Sequence, residues 1–319
     1  MLIPVLLFAV GLVLLIKGGD WFVDGATGIA HRFGVPELLI GATVVSIGTT
    51  LPEVMVSATS ALQGHGEIAY GNAIGSIICN TALIAAITIT AKPSKVDRRS
   101  LLTPVAFFFV AAAVYCYTAY SVGEFNRWTG FGLLGIFVLY MIVLIRQALR
   151  SPKVFAGEQK PQGSMSKDLL LLVAGAVLIA VGAKLLVDNG ILIARAMGVP
   201  ESVVGLTFVA LGTSLPELVT AITSLIKGHG ALSLGNIIGA NLFNLVLVSG
   251  VSVVLSPFAL PVEKTINGMN ASLVVDLPVM LLVMALMTLP ALLRGRLSRW
   301  QGIGLLAIYV GFCVFQFAL

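Results

Sequence analysis

The chain has 319 residues, 58% of them hydrophobic and 10% charged, with a formal net charge of +5. A soluble globular domain carries roughly 25% charged residues, so this composition excludes an ordinary water-soluble fold and points to a bilayer. The positive balance does not indicate a nucleic-acid partner, because the basic residues sit in short loops between apolar runs and not on one soluble face.

In chain order, apolar runs of about 20 residues recur, the length a helix needs to cross a hydrocarbon core of roughly 30 Å. Ten spans are predicted, at 2–22, 38–63, 68–90, 101–120, 128–149, 168–189, 202–226, 231–256, 271–292 and 299–318. The first run has no basic leader and no small-residue cleavage site, so it is expected to stay as a helix. Val, Leu, Ile and Phe occupy all faces of the runs without period-2 alternation, so the backbone must be satisfied inside helices and a barrel is excluded. The expected fold is all-α: a polytopic membrane protein of ten transmembrane helices. Cys79, Cys116 and Cys313 lie inside spans with no ligand spacing, so neither a disulfide nor a zinc site is expected. Asp24 and Asp188 are expected in loops after the first and sixth spans, His31, His65 and His229 in loops, and Asp276 at the cap of the ninth helix.

Residues 41–80 align without gaps on 205–244, an offset of 164, with eighteen of forty positions identical. Gly48-Thr49-Thr50-Leu51-Pro52-Glu53 matches Gly212-Thr213-Ser214-Leu215-Pro216-Glu217, and Gly64-His65-Gly66 matches Gly228-His229-Gly230. Each copy carries five spans, an odd number, so the second enters the membrane in the opposite sense to the first. The expected organisation is a five-helix repeat over 1–150, a polar linker over 151–167 and an inverted five-helix repeat over 168–319. With both termini outside and the linker in the cytoplasm, only Arg127, Lys184, Arg195 and Lys264 of the 19 Lys and Arg residues fall on the outer side. The positive-inside rule therefore predicts that orientation, in a plasma (inner) membrane.

Glu53 and Glu217 fall in the middle of apolar spans, where a carboxylate costs roughly 2.5–3.5 kcal/mol on insertion scales. Ser46, Thr49, Thr50, Glu53, Ser57 and Ser60 recur at three- to four-residue intervals, which gathers their oxygens on one helix face, and Asn72, Ser76 and Asn80 follow on the next span. Pro52 cannot donate to the carbonyl of Gly48, so free backbone oxygen is expected beside Glu53, and Gly212 and Pro216 repeat the arrangement beside Glu217. Two oxygen-rich half-sites with two carboxylates suit a hard cation such as Ca²⁺, which takes about 6–8 oxygen ligands. There is no H-E-x-x-H helix and no intramembrane Ser/His pair, so an enzyme is not expected.

On these paired motifs, with their following Gly-Asn-x-x-Gly elements, the chain closely resembles the sodium/calcium exchangers of the cation/Ca²⁺ exchanger superfamily, over essentially its whole length. That resemblance implies an electrogenic Na⁺/Ca²⁺ antiporter without cofactor, functional as a monomer in the lipid bilayer. It implies that Glu53 and Glu217 share Ca²⁺ with the carbonyls of Thr49 and Thr213. Thr50, Ser214 and Ser76, with the carbonyls of Ser46 and Ala210, would bind Na⁺, and Asn80 and Asn244 would stand at paired positions. Thr50 stands where serine is usual, and Ala240 at the counterpart of Ser76 removes one hydroxyl from the Na⁺ set. Some relatives carry aspartate where this chain has Asn80 and Asn244, and potassium-dependent exchangers resemble it less there, so potassium independence is expected. Ca²⁺/H⁺ exchange, potassium-dependent exchange and a passive cation channel are the alternatives. Structural readings also exist: the hydroxyl stripe as helix-to-helix glue, and the Gly-His-Gly elements as tight turns.

Overall fold

The computed structural model describes residues 2–150, 164–197, 212–262, 265–266 and 268–318. Ten helices follow one another among these residues. The first half contributes α1 (Leu2–Phe33), α2 (Glu37–Leu62), α3 (Gly66–Ala91), α4 (Arg98–Val122) and α5 (Arg127–Arg150). The second contributes α6 (Met165–Ala196), α7 (Leu215–Ile226), α8 (Gly230–Leu255), α9 (Ser272–Arg294) and α10 (Arg299–Ala318). Eight of them are long and apolar enough to cross a membrane. Residues 202–211 of the predicted seventh span and most of the expected linker lie outside the described residues.

Burial sorts the helices into layers. The apolar windows of α3 and α8 are 78% and 83% buried, those of α1 and α6 only 22% and 28%. The centre is therefore α3 and α8 with α2 and α7 beside them, while α1 and α6 form an outer pair. Outward-facing Leu6, Val13, Leu139 and Val177 stay exposed, as a lipid-facing surface requires.

Small residues decide how α1 and α6 meet. They run antiparallel, with Gly11 against Gly182, Gly18 against Gly175 and Gly25 against Leu172. A Cβ on any of these five glycines would come within 2.9 Å of backbone atoms of the opposite helix. Such contact maximises dispersion where no hydrophobic drive separates helix from lipid. At the end of the seam Arg32, in the last turn of α1, donates from Nε (3.2 Å) and Nη2 (2.9 Å) to Asp168 in the first turn of α6. Each charge complements the dipole of its own helix end.

Both outer helices are longer than predicted, and this corrects the expected loop positions: Asp24, His31 and Arg32 lie within α1, and Asp188 within α6. The helix persists beyond the apolar run because Val23, Ala26, Ile29 and Ala30 remain buried and the charges find partners. Asp276 likewise does not cap α9. It lies in the helix, within a π-helical turn (Ser272–Asp276), and accepts a hydrogen bond from Gln316 at 2.8 Å.

The inverted repeat is visible in matched local geometry. The contact of Gly11 with Gly182 becomes, on adding 164 to one residue and subtracting it from the other, the contact of Gly175 with Gly18. Gly64 and Gly228 take φ of 85° and 87° in the turns after α2 and α7, a left-handed conformation that a side chain disfavours. The amides of His65 and His229 close those turns on the carbonyls of Ser60 (2.9 Å) and Ser224 (2.7 Å). The loop after α3 pairs with the loop after α9 through Lys95 and Arg296, and the loop after α8 pairs with the loop after α4 through Phe258–Ala259 and Glu124–Phe125. These two clamps tie one repeat to the other in pseudo-symmetric fashion. The chain is an all-α multi-pass membrane protein of two inverted repeats.

Candidate functional site

Glu53 lies in the middle of α2 and Glu217 in the first turn of α7, and both are completely buried. The local folding differs between the copies. Pro52 is carried inside a continuous stretch, Ser46–Leu62, whereas Pro216 stands in the first turn of a helix that begins at Leu215. Between Gly212 and Pro216 the second copy turns through Thr213 and Ser214 before the helix begins at Leu215, so the departure from regular helix falls where the sequence predicts it. Pro suits that place because first-turn N–H groups have no intrahelical acceptor, and the positive helix end favours the Glu217 carboxylate.

One carboxylate comes from each repeat, and the helices that carry them, α2 and α7, pack against each other. None of the four carboxylate oxygens has a hydrogen-bond partner, and the hydroxyls of Thr50 and Ser214 and both amide atoms of Asn80 and Asn244 are equally buried and unpartnered. More than about nine in ten buried polar atoms in proteins are bonded, so this cluster of exceptions needs a physical reason. An isolated buried carboxylate pays a large desolvation penalty, and two that repel pay more, unless a cation lies between them.

Neighbouring groups are held firmly. The Ser46 hydroxyl donates toward the carbonyls of Gly41 (2.7 Å) and Asn236 (3.0 Å), and that of Thr49 toward Asn236 Oδ1 (3.2 Å). In the first repeat Asn72 Nδ2 donates to Ser57 Oγ (2.8 Å) and to the Glu53 carbonyl (3.3 Å). Three π-helical turns surround the site. Gly41–Val45 lies in α2, where Tyr140 of α5 donates to the Ala42 carbonyl at 2.9 Å. Asn80 and Asn244 each open another, Asn80–Ala85 in α3 and Asn244–Val248 in α8. The turn of one repeat packs on the glutamate helix of the other: Asn80–Ala85 on α7, and Asn244–Val248 on α2. Such turns release carbonyls from the regular ladder and recur at functional sites.

Of the residues expected at the site, Glu53, Glu217, Thr49, Thr50, Ser46, Ser214, Ser76, Asn80 and Asn244 are all buried on α2, α3, α7, α8 or the turn before α7. Thr213 is partly buried in that turn, and Ala210 lies outside the described residues. In the sequence Asn72, and Asn236 at the matching position of the second repeat, count only as further oxygens. In the fold they brace α2, and the Gly-Asn step repeated at the offset of 164 is the signal that could have marked them. Among the described residues no group of three or more His, Cys, Asp and Glu side chains is placed to hold a metal ion. The donors are carboxylate, hydroxyl, amide and carbonyl oxygens, the set a hard cation prefers.

A cavity of about 10 Å³, room for one water, separates this site from the outer pair. Thr49, Pro52 and Pro216 line it on one side, Phe22 and Ile179 on the other.

The sodium/calcium exchanger protein family matches residues 3–146 and 167–318. The sodium/calcium exchanger MaX1 of Methanosarcina acetivorans is 31% identical, over 98% of this chain and 98% of its own. The inner membrane protein YrbG of Escherichia coli is 34% identical, over 81% of each. A solved structure of the sodium-calcium exchanger NCX_Mj, soaked with Na⁺ and Sr²⁺, superposes with a TM-score of 0.81 at 32% identity and covers 97% of both chains.

Proposed function

The chain belongs to the sodium/calcium exchanger protein family and is an antiporter, not an enzyme, and from that premise we propose that it exchanges Na⁺ for Ca²⁺ by alternating access. The observation that carries the proposal is the pair of buried, unpartnered carboxylates, one from each inverted repeat. Glu53 and Glu217 balance the charge of one Ca²⁺, and the carbonyls of Thr49 and Thr213 add neutral oxygens. Na⁺ competes for overlapping groups: Thr50, Ser214, Ser76, the carbonyls of Ser46 and Ala210, and the amides Asn80 and Asn244. The Na⁺ and Sr²⁺ soaked into NCX_Mj are hard cations of the same class.

In this reading three Na⁺ replace one Ca²⁺, which makes exchange electrogenic, and K⁺ is not required because the paired positions carry neutral Asn80 and Asn244 in place of further carboxylates. The moving part is the α1–α6 pair. Its glycine seam joins it into one unit, and it meets the site helices through Phe22 against Gly48 and Val187 against Gly212. Small flat contacts of this kind let one unit slide past another. The protein works as a monomer in the plasma (inner) membrane, with both termini outside. The two repeats are 1–150 and 168–319, joined by the cytoplasmic linker 151–167.

Uptake of radioactive Ca²⁺ into proteoliposomes under opposed Na⁺ gradients tests this. Uptake is expected only when the interior holds Na⁺, and Glu53→Gln or Glu217→Gln should weaken apparent Ca²⁺ affinity by roughly 10- to 100-fold, the loss of one charge-assisted contact. Uptake driven by a pH gradient without Na⁺ would replace the proposal with Ca²⁺/H⁺ exchange. A requirement for K⁺, or currents without a counter-ion, would overturn it in favour of a potassium-dependent exchanger or a channel.

A further inference from the structure

Hydroxyls buried in this helical bundle have a regular habit. Thr27, Thr43, Thr118, Ser252 and Thr288 each donate to the carbonyl four residues back, at 2.6–3.1 Å. A hydroxyl in an apolar helix meets its need in this way when nothing else is offered. Thr220 and Ser224 of α7 depart from the habit: both are 0% exposed, and neither Thr220 Oγ1 nor Ser224 Oγ has a partner.

Their positions relative to Glu217 are i+3 and i+7, so carboxylate and hydroxyls share one face of α7 over about 10 Å of rise. The row runs from the site to the end of α7 at Ile226. There Lys227 pairs with Asp24 at 2.7 Å, which fixes this end on the face of the molecule where α1 ends and α6 begins. A crevice of about 20 Å³ opens on that face beside Leu225, one residue beyond Ser224, with Ser233 of α8 and Thr88 and Lys92 at the end of α3 among its walls.

The first repeat breaks the row at its middle. Ser60 matches Ser224 but is only partly buried, Val56 stands where the second has Thr220, and Ser57, which accepts from Asn72, stands where the second has Ala221. The inverted repeat places that half of α2 toward the opposite membrane face, so the row serves one face only.

We propose that Thr220 and Ser224 form a relay subsite for a hard cation, Na⁺ or Ca²⁺, passing between Glu217 and the linker face. Their oxygens replace hydration water that the ion sheds on leaving the crevice. This rests on the exchange reading above and extends it to the route by which the ion reaches the site from one side.

The test compares right-side-out spheroplasts with inside-out membrane vesicles, with Na⁺ and Ca²⁺ dependence measured separately at each face. Thr220→Val, nearly the same shape, and Ser224→Ala are expected to raise the half-saturating concentration of one or both cations at the linker face. The size should be roughly 3- to 10-fold, about one lost polar contact, with little change at the opposite face. The Na⁺ and Ca²⁺ arms show which cation the relay serves, and Thr220→Ser should restore the wild-type value. An equal rise at both faces, or none at either, would overturn the proposal. Absence of Na⁺-coupled Ca²⁺ flux in the wild type would instead remove the exchange reading on which it rests. The unchanged value at the opposite face shows that the variants fold.

Discussion

Asp97 illustrates how much a single polar side chain does at the edge of this molecule. It caps α4, accepting hydrogen bonds from the amides of Arg99 (3.1 Å) and Ser100 (3.2 Å) and from the Ser100 hydroxyl. Partial burial pushes its carboxyl up, but the hydrogen bonds from Ser100 and Arg99 and the Arg99 charge outweigh it, so the group titrates below the usual range. A carboxyl depressed in the folded state stabilises above its unfolded value, near 4, and loses that contribution as the pH falls through the folded value. Asp97→Ala should therefore lower stability by about 1 kcal/mol at neutral pH, the usual worth of such a cap. Thermal unfolding in detergent checks this, and the gap between variant and wild type should shrink as the pH falls below the unfolded value. The two site glutamates were legible in the sequence for a related reason: a charge in an apolar run is expensive and demands a purpose. In the sequence Thr220 reads only as one more oxygen beside Glu217 and Ser224 is not marked at all, because a serine or threonine in a membrane helix usually satisfies itself, and only coordinates show that these do not. His31 and Arg32 read as loop residues because their partners, Glu37 and Asp168, come from other segments.

Among the elements, the α1–α6 seam has the sharpest steric definition. The glycines of both helices stand out in the sequence at seven-residue spacing, but nothing there names the partner helix; in the fold each row meets the other. Seven residues per repeat keep one stripe facing a nearly antiparallel neighbour. A Cβ at position 175 would lie 2.4 Å from the Phe22 amide nitrogen and 2.8 Å from the Gly18 carbonyl oxygen, and neither backbone atom can swing aside. Gly175→Ala is expected to destabilise by about 1–3 kcal/mol, the range for overpacking a tight contact. Gly135→Ala in α5, where an added Cβ meets nothing within 4 Å, should leave the melting temperature nearly unchanged. Equal melting temperatures for the two variants would refute the seam as a packing constraint. Element boundaries inside the core were well placed by the sequence, as α3 and α8 show. The π-helical turns at Asn80 and Asn244 were not, since one extra residue per turn leaves no mark in composition or period.

At the scale of the whole molecule the two repeats match in fold but differ in charge where α1 and α6 meet the ends of α7 and α2. On the linker face Lys227 reaches Asp24 (2.7 Å) and Asp20 (3.4 Å), and His229 reaches Glu37 (2.8 Å). At the equivalent place on the opposite face Gln63 replaces Lys227 and Lys184 replaces Asp20. Lys184 turns along its own helix to Asp188 at 3.0 Å, and both are well exposed. The outer pair is thus latched to the site helices by charge on one face and not by the matching residues on the other. If the pair slides during exchange, the Lys227 contacts must break each time the linker face opens, and they bias the protein toward the state in which that face is closed. Lys227→Gln, which copies the first repeat into the second, should ease that opening. Partly exposed ion pairs contribute about 0.2–1 kcal/mol, so the expected gain is between roughly 1.5- and 5-fold in the open population. Modification of Ser224→Cys by an impermeant maleimide, in a background lacking Cys79, Cys116 and Cys313, should accelerate by that factor from the linker face. The acceleration should shrink in high salt, because screening already weakens the wild-type pair. An unchanged rate, or acceleration that salt does not touch, would show that the latch does not set the resting state.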